Sequence, residues 1–162
     1  MFRFCLLIIV SILFSHILQG NTLTLNDAEF SAKIVRDEWG VPHIYGKRDA
    51  DVSFGLAYAH AQDDYKTIEG VLLALRGKLA AAYGKDAAIN DYYVHLMDFW
   101  NTIENKYESD VPDDVKLLCD GYAAGINLFL RDHPEKSRKK FAVVTGKDIV
   151  AGFSHKMPLM FG

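Results

Sequence analysis

Ser154 and His155 stand side by side, the residue types of a nucleophile and its base. On a helix, neighbours point about 100° apart, so the two do not have the geometry of a catalytic dyad. No Gly-x-Ser-x-Gly elbow occurs elsewhere in the chain. Ser53, beside Phe54 and Gly55, has no base near it in sequence and reads as helix surface. His60, Asp63 and Asp64 fall at i, i+3 and i+4, a single helical face that a metal could use. The alternative is a polar face or helix-end network that ties neighbouring backbone. His43, after Pro42 in an extended run, is either a pocket residue or a packed, hydrogen-bonded histidine. Asp37 and Glu38 are adjacent carboxylates, but they flank a turn, where an Asp side chain holds backbone N–H groups rather than a reacting proton. Met157, Met160 and Phe161 form an apolar patch at i, i+3 and i+4, which on pattern alone is a piece of core. Cys119 lies on the apolar face of a helix and reads as a small hydrophobe. No Cys/His spacing resembles a zinc site. These residues yield no catalytic constellation and no metal ligand set.

The elements that would carry them follow from periodicity. Phe30 to Arg36 alternates, with Phe30, Ala32 and Ile34 on one side, and predicts a strand. Asp37-Glu38-Trp39-Gly40 predicts a tight turn with positive φ at Gly40, and Val41 to Tyr45 a second short strand, at an edge because of Pro42. A helix is predicted from Asp49, poor in side-chain bulk at Gly55, Ala57, Ala59 and Ala61 and so suited to close packing. A second helical piece runs from about Tyr65 to Tyr83, with Gly84 as its stop. Asp91 to about Tyr107 is amphipathic through Leu96, Phe99, Trp100, Ile103 and Tyr107. Pro112 fits a first helical position, Asp113 and Asp114 suit the positive end of the dipole, and Val115, Leu118, Cys119, Tyr122, Ile126, Phe129 and Leu130 make one stripe. Thr145-Gly146-Lys147-Asp148 has capping-box form and opens a last helix through Ile149, Val150, Phe153, Met157, Met160 and Phe161. The reading is α+β and mostly helical, two strands in front and about five helices behind. Two such strands do not make a self-sufficient sheet, so their apolar faces ask for more strands.

The chain's 162 residues suit one domain, and half of them are hydrophobic. The net charge is −3. Beyond Arg138-Lys139-Lys140, which reads as a solvated loop, there is no basic patch, so nucleic acid is excluded as an expected partner. Residues 1–20 have a short basic start, an apolar run from Phe4 to Leu18 and a small residue at Gly20. That is the form of a secretory signal peptide. The run is short for a membrane span of about 20 residues, and an uncleaved anchor is the alternative. Residues 21–29 are polar and read as a mobile leader, and residues 30–162 as the folded portion. Loss of the first segment removes Cys5 and leaves Cys119 alone, without an internal bridge to make.

Several stretches carry a resemblance when taken in order. Arg36-Asp37-Glu38-Trp39-Gly40-Val41-Pro42-His43-Ile44 resembles the opening strand–turn–strand of the α chain in the penicillin acylase family, which includes N-acyl-homoserine lactone and cephalosporin acylases. Phe54-Gly55-Leu56-Ala57-Tyr58-Ala59-His60-Ala61-Gln62-Asp63 is similar to its first helix. Arg76-Gly77-Lys78-Leu79-Ala80 with Tyr83-Gly84, and Gly121-Tyr122-Ala123-Ala124-Gly125-Ile126-Asn127, resemble later landmarks. The likeness spans about Phe30 to Phe161.

The resemblance implies an exported precursor that cuts itself into α and β chains. It implies an N-terminal-nucleophile hydrolase, an αββα sandwich whose remaining sheet lies in the β chain. The nucleophile would be the serine that begins that β chain, with its own α-amine as base. No such start occurs in this sequence. The resemblance therefore implies a truncated α-chain portion, inactive alone, periplasmic or secreted, with no stable membrane span. Its partner would be the β chain of the same precursor and its substrate a small acyl amide, a β-lactam side chain or an acyl-homoserine lactone. It assigns Met157, Met160 and Phe161 to the acyl pocket. Met160 stands where the penicillin acylase pattern resembles an arginine, which makes the pocket more apolar. The acid that binds calcium in some members would fall beyond Gly162, so calcium is expected, if at all, in the full-length enzyme and not in this chain. The rival expectation is a small exported helical protein that binds a ligand or partner without catalysis.

Overall fold

Alternating leucines and β-branched residues open the described part of the chain: Leu23 and Leu25 face inward from Asn21–Asn26, which is strand β1. The computed structural model describes residues 21–137 and 143–161; residues 1–20, expected to be a signal peptide, the stretch 138–142 with its basic triplet, and Gly162 lie outside the described residues. β1 corrects an expectation, since this polar stretch was read as a mobile leader. It pairs antiparallel with β2 (Ser31–Arg36), Leu23 opposite Ile34 and Leu25 opposite Ala32. β2 pairs in turn with β3 (Pro42–Gly46), Ile34 opposite Ile44. The sheet is therefore three-stranded, in the order β1-β2-β3. An edge strand with one solvated face needs few inward apolar residues, which is why two leucines among Asn and Thr suffice.

The β2–β3 turn is built as expected. The Asp37 carboxylate accepts the N–H groups of Trp39 and Val41, both at 2.9 Å, and Gly40 has φ +80°. Arg36 locks this turn to the next helix through Gly40 O, 2.8 Å, and Asp63, 2.8 Å.

Among the described residues six α-helices follow. α1 (Asp49–Leu75) is one long helix with an internal kink at Asp64, φ −152°. There the Asp64 carboxylate accepts the Thr67 N–H at 3.1 Å, acting as an N-cap for the second half. The helix ends earlier than the predicted Tyr83: Gly77 takes φ +60°, and α2 (Leu79–Tyr83) is a separate short turn. A 3-10 turn (Lys85–Ala87) leads to α3 (Ala88–Leu96), and α4 (Phe99–Asp110) follows. The single amphipathic helix expected over 91–107 is broken by Asp98, which is left-handed at φ 51° and lets Phe99, Ile103 and Tyr107 turn inward while Leu96 stays exposed. α5 (Asp113–Asp132) has Pro112 as N-cap, one position before the expected N1, and α6 is Gly146–Phe161.

α1 is sandwiched. Toward the sheet it presents Gly55, where an added Cβ would lie 2.7 Å from Ile44 Cγ2 and 2.8 Å from the Ala32 Cβ. Toward α5 it presents Ala50, Phe54 and Ala57. A Cβ at Gly121 would come within 2.4 Å of Ala50 O, and one at Gly125 within 2.2 Å of Phe54 O. The buried face of α5 is thus Cys119, Gly121, Ala123, Gly125, Ile126, Leu128 and Phe129, rotated from the predicted stripe, and Val115 and Leu118 are exposed. The expectation of close packing holds for α1, and the glycines of α5 complete it. Tyr58 closes the far end of this contact by donating to Asp132 at 3.1 Å. Burial, with Asp132 adding to it, pushes the phenol up to about 12.

The ends of α1 are satisfied by side chains from elsewhere. At its start, buried Asp51 accepts the Arg48 N–H and guanidinium and the Ser31 N–H, and Arg48 holds its carboxyl down to about 2. At its finish, Ala74 O accepts Asn90 Nδ2, 2.9 Å, and Leu75 O accepts Trp100 Nε1, 2.8 Å. The Trp100 bond satisfies a carbonyl that a helix terminus otherwise leaves open, and the Asn90 bond adds a second donor to Ala74 O, which also accepts the Gly77 N–H at 3.1 Å.

Three outcomes test this account. Gly125→Ala should destabilise by about 1–3 kcal/mol or more in urea unfolding, because backbone cannot yield to the new methyl. Gly70→Ala, whose Cβ would meet nothing closer than 3.8 Å, should stabilise by about 0.5–1 kcal/mol. Asp51, lowered in the folded state, contributes stability that is complete above its ordinary 3.8 and is lost as pH falls toward about 2. Asp51→Asn should remove that acid limb from a pH series of melts.

Candidate functional site

The residues assigned to substrate all lie on α6, so its placement decides the site. Asp148, 1% exposed, is the anchor. It accepts Arg76 Nε at 2.7 Å and Nη2 at 2.8 Å, a bidentate pair. It also accepts the Thr145 N–H at 2.9 Å and the Thr145 hydroxyl at 3.1 Å. The capping-box expectation is therefore half realised: the acid reaches back to the N-cap, while the threonine hydroxyl binds the acid instead of the helix backbone. One turn before, the Asn127 side-chain amide pairs with both backbone groups of Val144, at 2.8 and 3.0 Å. Gly146 sits against Tyr107 Oη and the Asp120 carboxylate with no room for a Cβ, and Lys147 forms an ion pair with Glu104.

Further along, the inner face of α6 buries Ala151 and His155. Because Asn90 Nδ2 donates to Ala74 O, its Oδ1 faces His155, and Nε2 of the imidazole is the donor, 3.0 Å. Nδ1 is then a bare, buried acceptor without a partner among the described residues. Burial, with Lys156 beside it, holds the imidazole below its ordinary range.

The outer face of α6 is apolar. Phe153, Met157, Met160 and Phe161 are 69%, 54%, 69% and 74% exposed. The pattern-only expectation of core is overturned for Met157, Met160 and Phe161: the inner face is already filled by Ala151 and His155, and these three project outward. They share the last two turns of one helix, which also contain Pro158. Phe153, four residues before Met157, extends the same exposed row, and that spacing was the signal that would have grouped it with the three. A surface cavity of about 310 Å³ lies elsewhere, lined by Arg76, Lys78, Trp100, Val143, Thr145 and Asp148, with none of the three assigned residues on its wall.

The other candidates are dispersed among structural tasks. Ser154 donates to Val150 O, 3.3 Å, and has no bond to His155. His60 contacts Tyr122 Oη at 3.0 Å through Nδ1, Asp63 pairs with Arg36, and Asp64 caps the kink. Among the described residues no group of three His, Cys, Asp or Glu side chains is arranged to hold a metal ion. His43 is half exposed and bonds Asp37 at 3.1 Å, which lowers the Asp37 carboxyl. Cys119 is buried, and burial pushes its thiol up, away from the reactive thiolate.

Comparison with known proteins decides the lineage. Residues 31–156 match the family model described as Penicillin amidase. The chain is a member of the penicillin amidase family. It is 33% identical over 98 residues to penicillin G acylase of Escherichia coli, covering 60% of this chain and 12% of that protein. It is 26% identical over 113 residues to the acyl-homoserine lactone acylase PvdQ of Pseudomonas fluorescens, covering 65% and 14%. The thermostable penicillin G acylase from Alcaligenes faecalis matches in structure with a TM-score of 0.66 and 26% identity, over 81% of this chain and 74% of that chain. The chain spans about one seventh of the length of the curated relatives it matches. Within this penicillin amidase member, the family-like landmarks fall on the β2–β3 hairpin, on α1, on the Gly77 break and on the glycine face of α5.

The anchor is open to direct test. Asp148→Ala removes the buried carboxylate of a bidentate pair and should cost about 3–5 kcal/mol in chemical denaturation. The double variant Arg76→Met with Asp148→Leu should recover only part of that loss, because the Thr145 groups and Val143 O lose their partners as well.

Proposed function

We propose that this chain is the α-chain portion of an exported acylase that hydrolyses a linear amide, with the nucleophile supplied by an N-terminal serine on a β chain from the same precursor. The observation that carries the reading is the outward row Phe153, Met157, Met160 and Phe161 in a penicillin amidase family member. Such a row, held on a helix fixed at Asp148 and His155, has no occupant among the described residues and is the size and chemistry of one wall of an acyl pocket. In this reading the row binds the acyl group by contact and excludes water from it. The reacting carbonyl and the serine meet beyond the end of α6, and oxyanion donors come from the β chain. Substrates are then amides of apolar acids, a β-lactam side chain or an acyl-homoserine lactone. An arginine-free wall at Met160 favours an acyl group without an anionic substituent.

The same reading supports a protein partner. The outer sides of α3 (Ile89, Tyr92, Leu96) and α6 are both apolar and exposed, and β1 and β3 each keep one edge unpaired among the described strands. A β chain would cover the helices and extend the sheet. No helix among the described residues is long and apolar enough to cross a membrane, and export rests on the residue 1–20 segment.

The chain alone should not turn over a chromogenic phenylacetyl or fatty-acyl amide, whereas coexpression with a serine-initiated β chain should give turnover. Activity of the isolated chain would refute the division of labour. In the assembled enzyme, Met157→Ala with Met160→Ala should raise KM several-fold for apolar acyl substrates, with a smaller effect on kcat.

A further inference from the structure

At the level of Met157, the contact that holds α6 from inside is His155. The ring is 8% exposed. It stands edge-on to Tyr93, centroids 5.5 Å apart and planes at 82°, and tilts against Phe99 at 6.2 Å. Its one polar partner among the described residues is Asn90 Oδ1, itself tied through Nδ2 to the end of α1.

A neutral imidazole satisfies this niche: one N–H donated, one bare nitrogen. An imidazolium does not, because its second N–H would be buried without an acceptor. Among the described residues no group accepts a hydrogen bond from Nδ1. α3 contributes the neutral Asn90 amide and Tyr93, whose hydroxyl is also buried and unpartnered. α4 contributes the Phe99 ring. α6 contributes Lys156, a like charge. Asp91, next to Asn90, accepts the Leu79 and Ala80 N–H groups of α2 and, at 3.4 Å, Asn90 Nδ2; this carboxylate lies behind the amide and has no bond to the ring.

We propose that His155 is a positioning residue that docks the outer end of α6 only as neutral imidazole, so that mild acid releases residues 153–161 from α3 and α4. The inference rests on the acylase reading for what this face binds, and not for the release itself. The sign follows from linkage. The undocked helix takes up a proton in the ordinary histidine range and the docked helix resists it. Docking is therefore complete above that range and weakens below it, by up to about tenfold per pH unit. An acylase built on this helix would lose its acyl wall reversibly in acid, before the rest of the chain unfolds.

Amide hydrogen exchange on the full chain tests this without any substrate, so the outcome is independent of whether the acylase reading stands. Rates would be taken from about pH 7.5 to about pH 5 and divided by the intrinsic rate at each pH. Expected in the wild type is faster opening of residues 153–161, approaching tenfold per pH unit, with α5 unchanged. His155→Gln, whose amide can donate to Asn90 but takes no proton, should show no such slope. A flat wild-type profile, an equal slope in the variant, or α5 opening in step would each overturn the proposal. Should the variant not fold, side-chain NMR of His155 in the wild type replaces it. A midpoint below the ordinary range, shared by the α6 amides, supports docking by the neutral ring, and an ordinary midpoint with silent α6 amides overturns it.

Discussion

Backbone-to-backbone contact between α1 and α5 is the constraint on which the rest of the molecule depends. Gly121 and Gly125 remove the side chains that would hold the two helices apart, and Ala50, Phe54 and Ala57 meet them with carbonyls and one methyl. At this separation dispersion contacts run along the main chain itself, and any added methyl has rigid backbone in its way. The opposite side of α1 does the same with Gly55 against the sheet. A single helix therefore sets the distance to both of its neighbours, and the larger residues of the core, Phe30, Ile34, Tyr58, Ile126 and Phe129, fill the flanks of a gap whose width they do not determine.

The placement of α6 is inherited from that frame through polar groups. Arg76 leaves the end of α1 and reaches Asp148; Asn127 leaves α5 and clasps Val144; Asn90 joins the end of α1 to His155. These are specific bonds in partly dry surroundings, where a satisfied group orients and an unsatisfied one is costly. The apolar row on α6 points outward because its inner face is consumed by these attachments. Burial of the row must come from something other than the elements described.

How much of this was legible in the residues varies with the physics of each feature. The Asp37 turn could be read because an Asp followed three residues later by Gly has few other uses. The small face of α1 was legible because it repeats over two turns. The third strand was not, since Asn and Thr at solvated positions carry the polarity of a loop while their alternation with Leu23 and Leu25 is short. The rotated face of α5 escaped because a hydrophobic stripe marks bulk, whereas the tightest contact is made where bulk is absent. At the site, Met157, Met160 and Phe161 were found as a group, but their direction was not, because a helix with apolar residues on two sides does not say which side is inward. Asn90 had no local signature, and Arg76 stood out only as part of the Arg76-Gly77-Lys78 landmark, with nothing to show its partner. Their partners lie 65 and 72 residues away.

The two carbonyls at the end of α1 bear on the timing of folding. As the chain leaves the ribosome, residues 49–75 precede the side chains that complete their surroundings: the donor to Leu75 O arrives with Trp100, the second donor to Ala74 O with Asn90, and the surface that meets Ala50 and Phe54 with Gly121 and Gly125. The environment of α1 is therefore completed only once the chain through Gly125 is available, so a fragment ending before α5 would leave Phe54 and Ala57 uncovered.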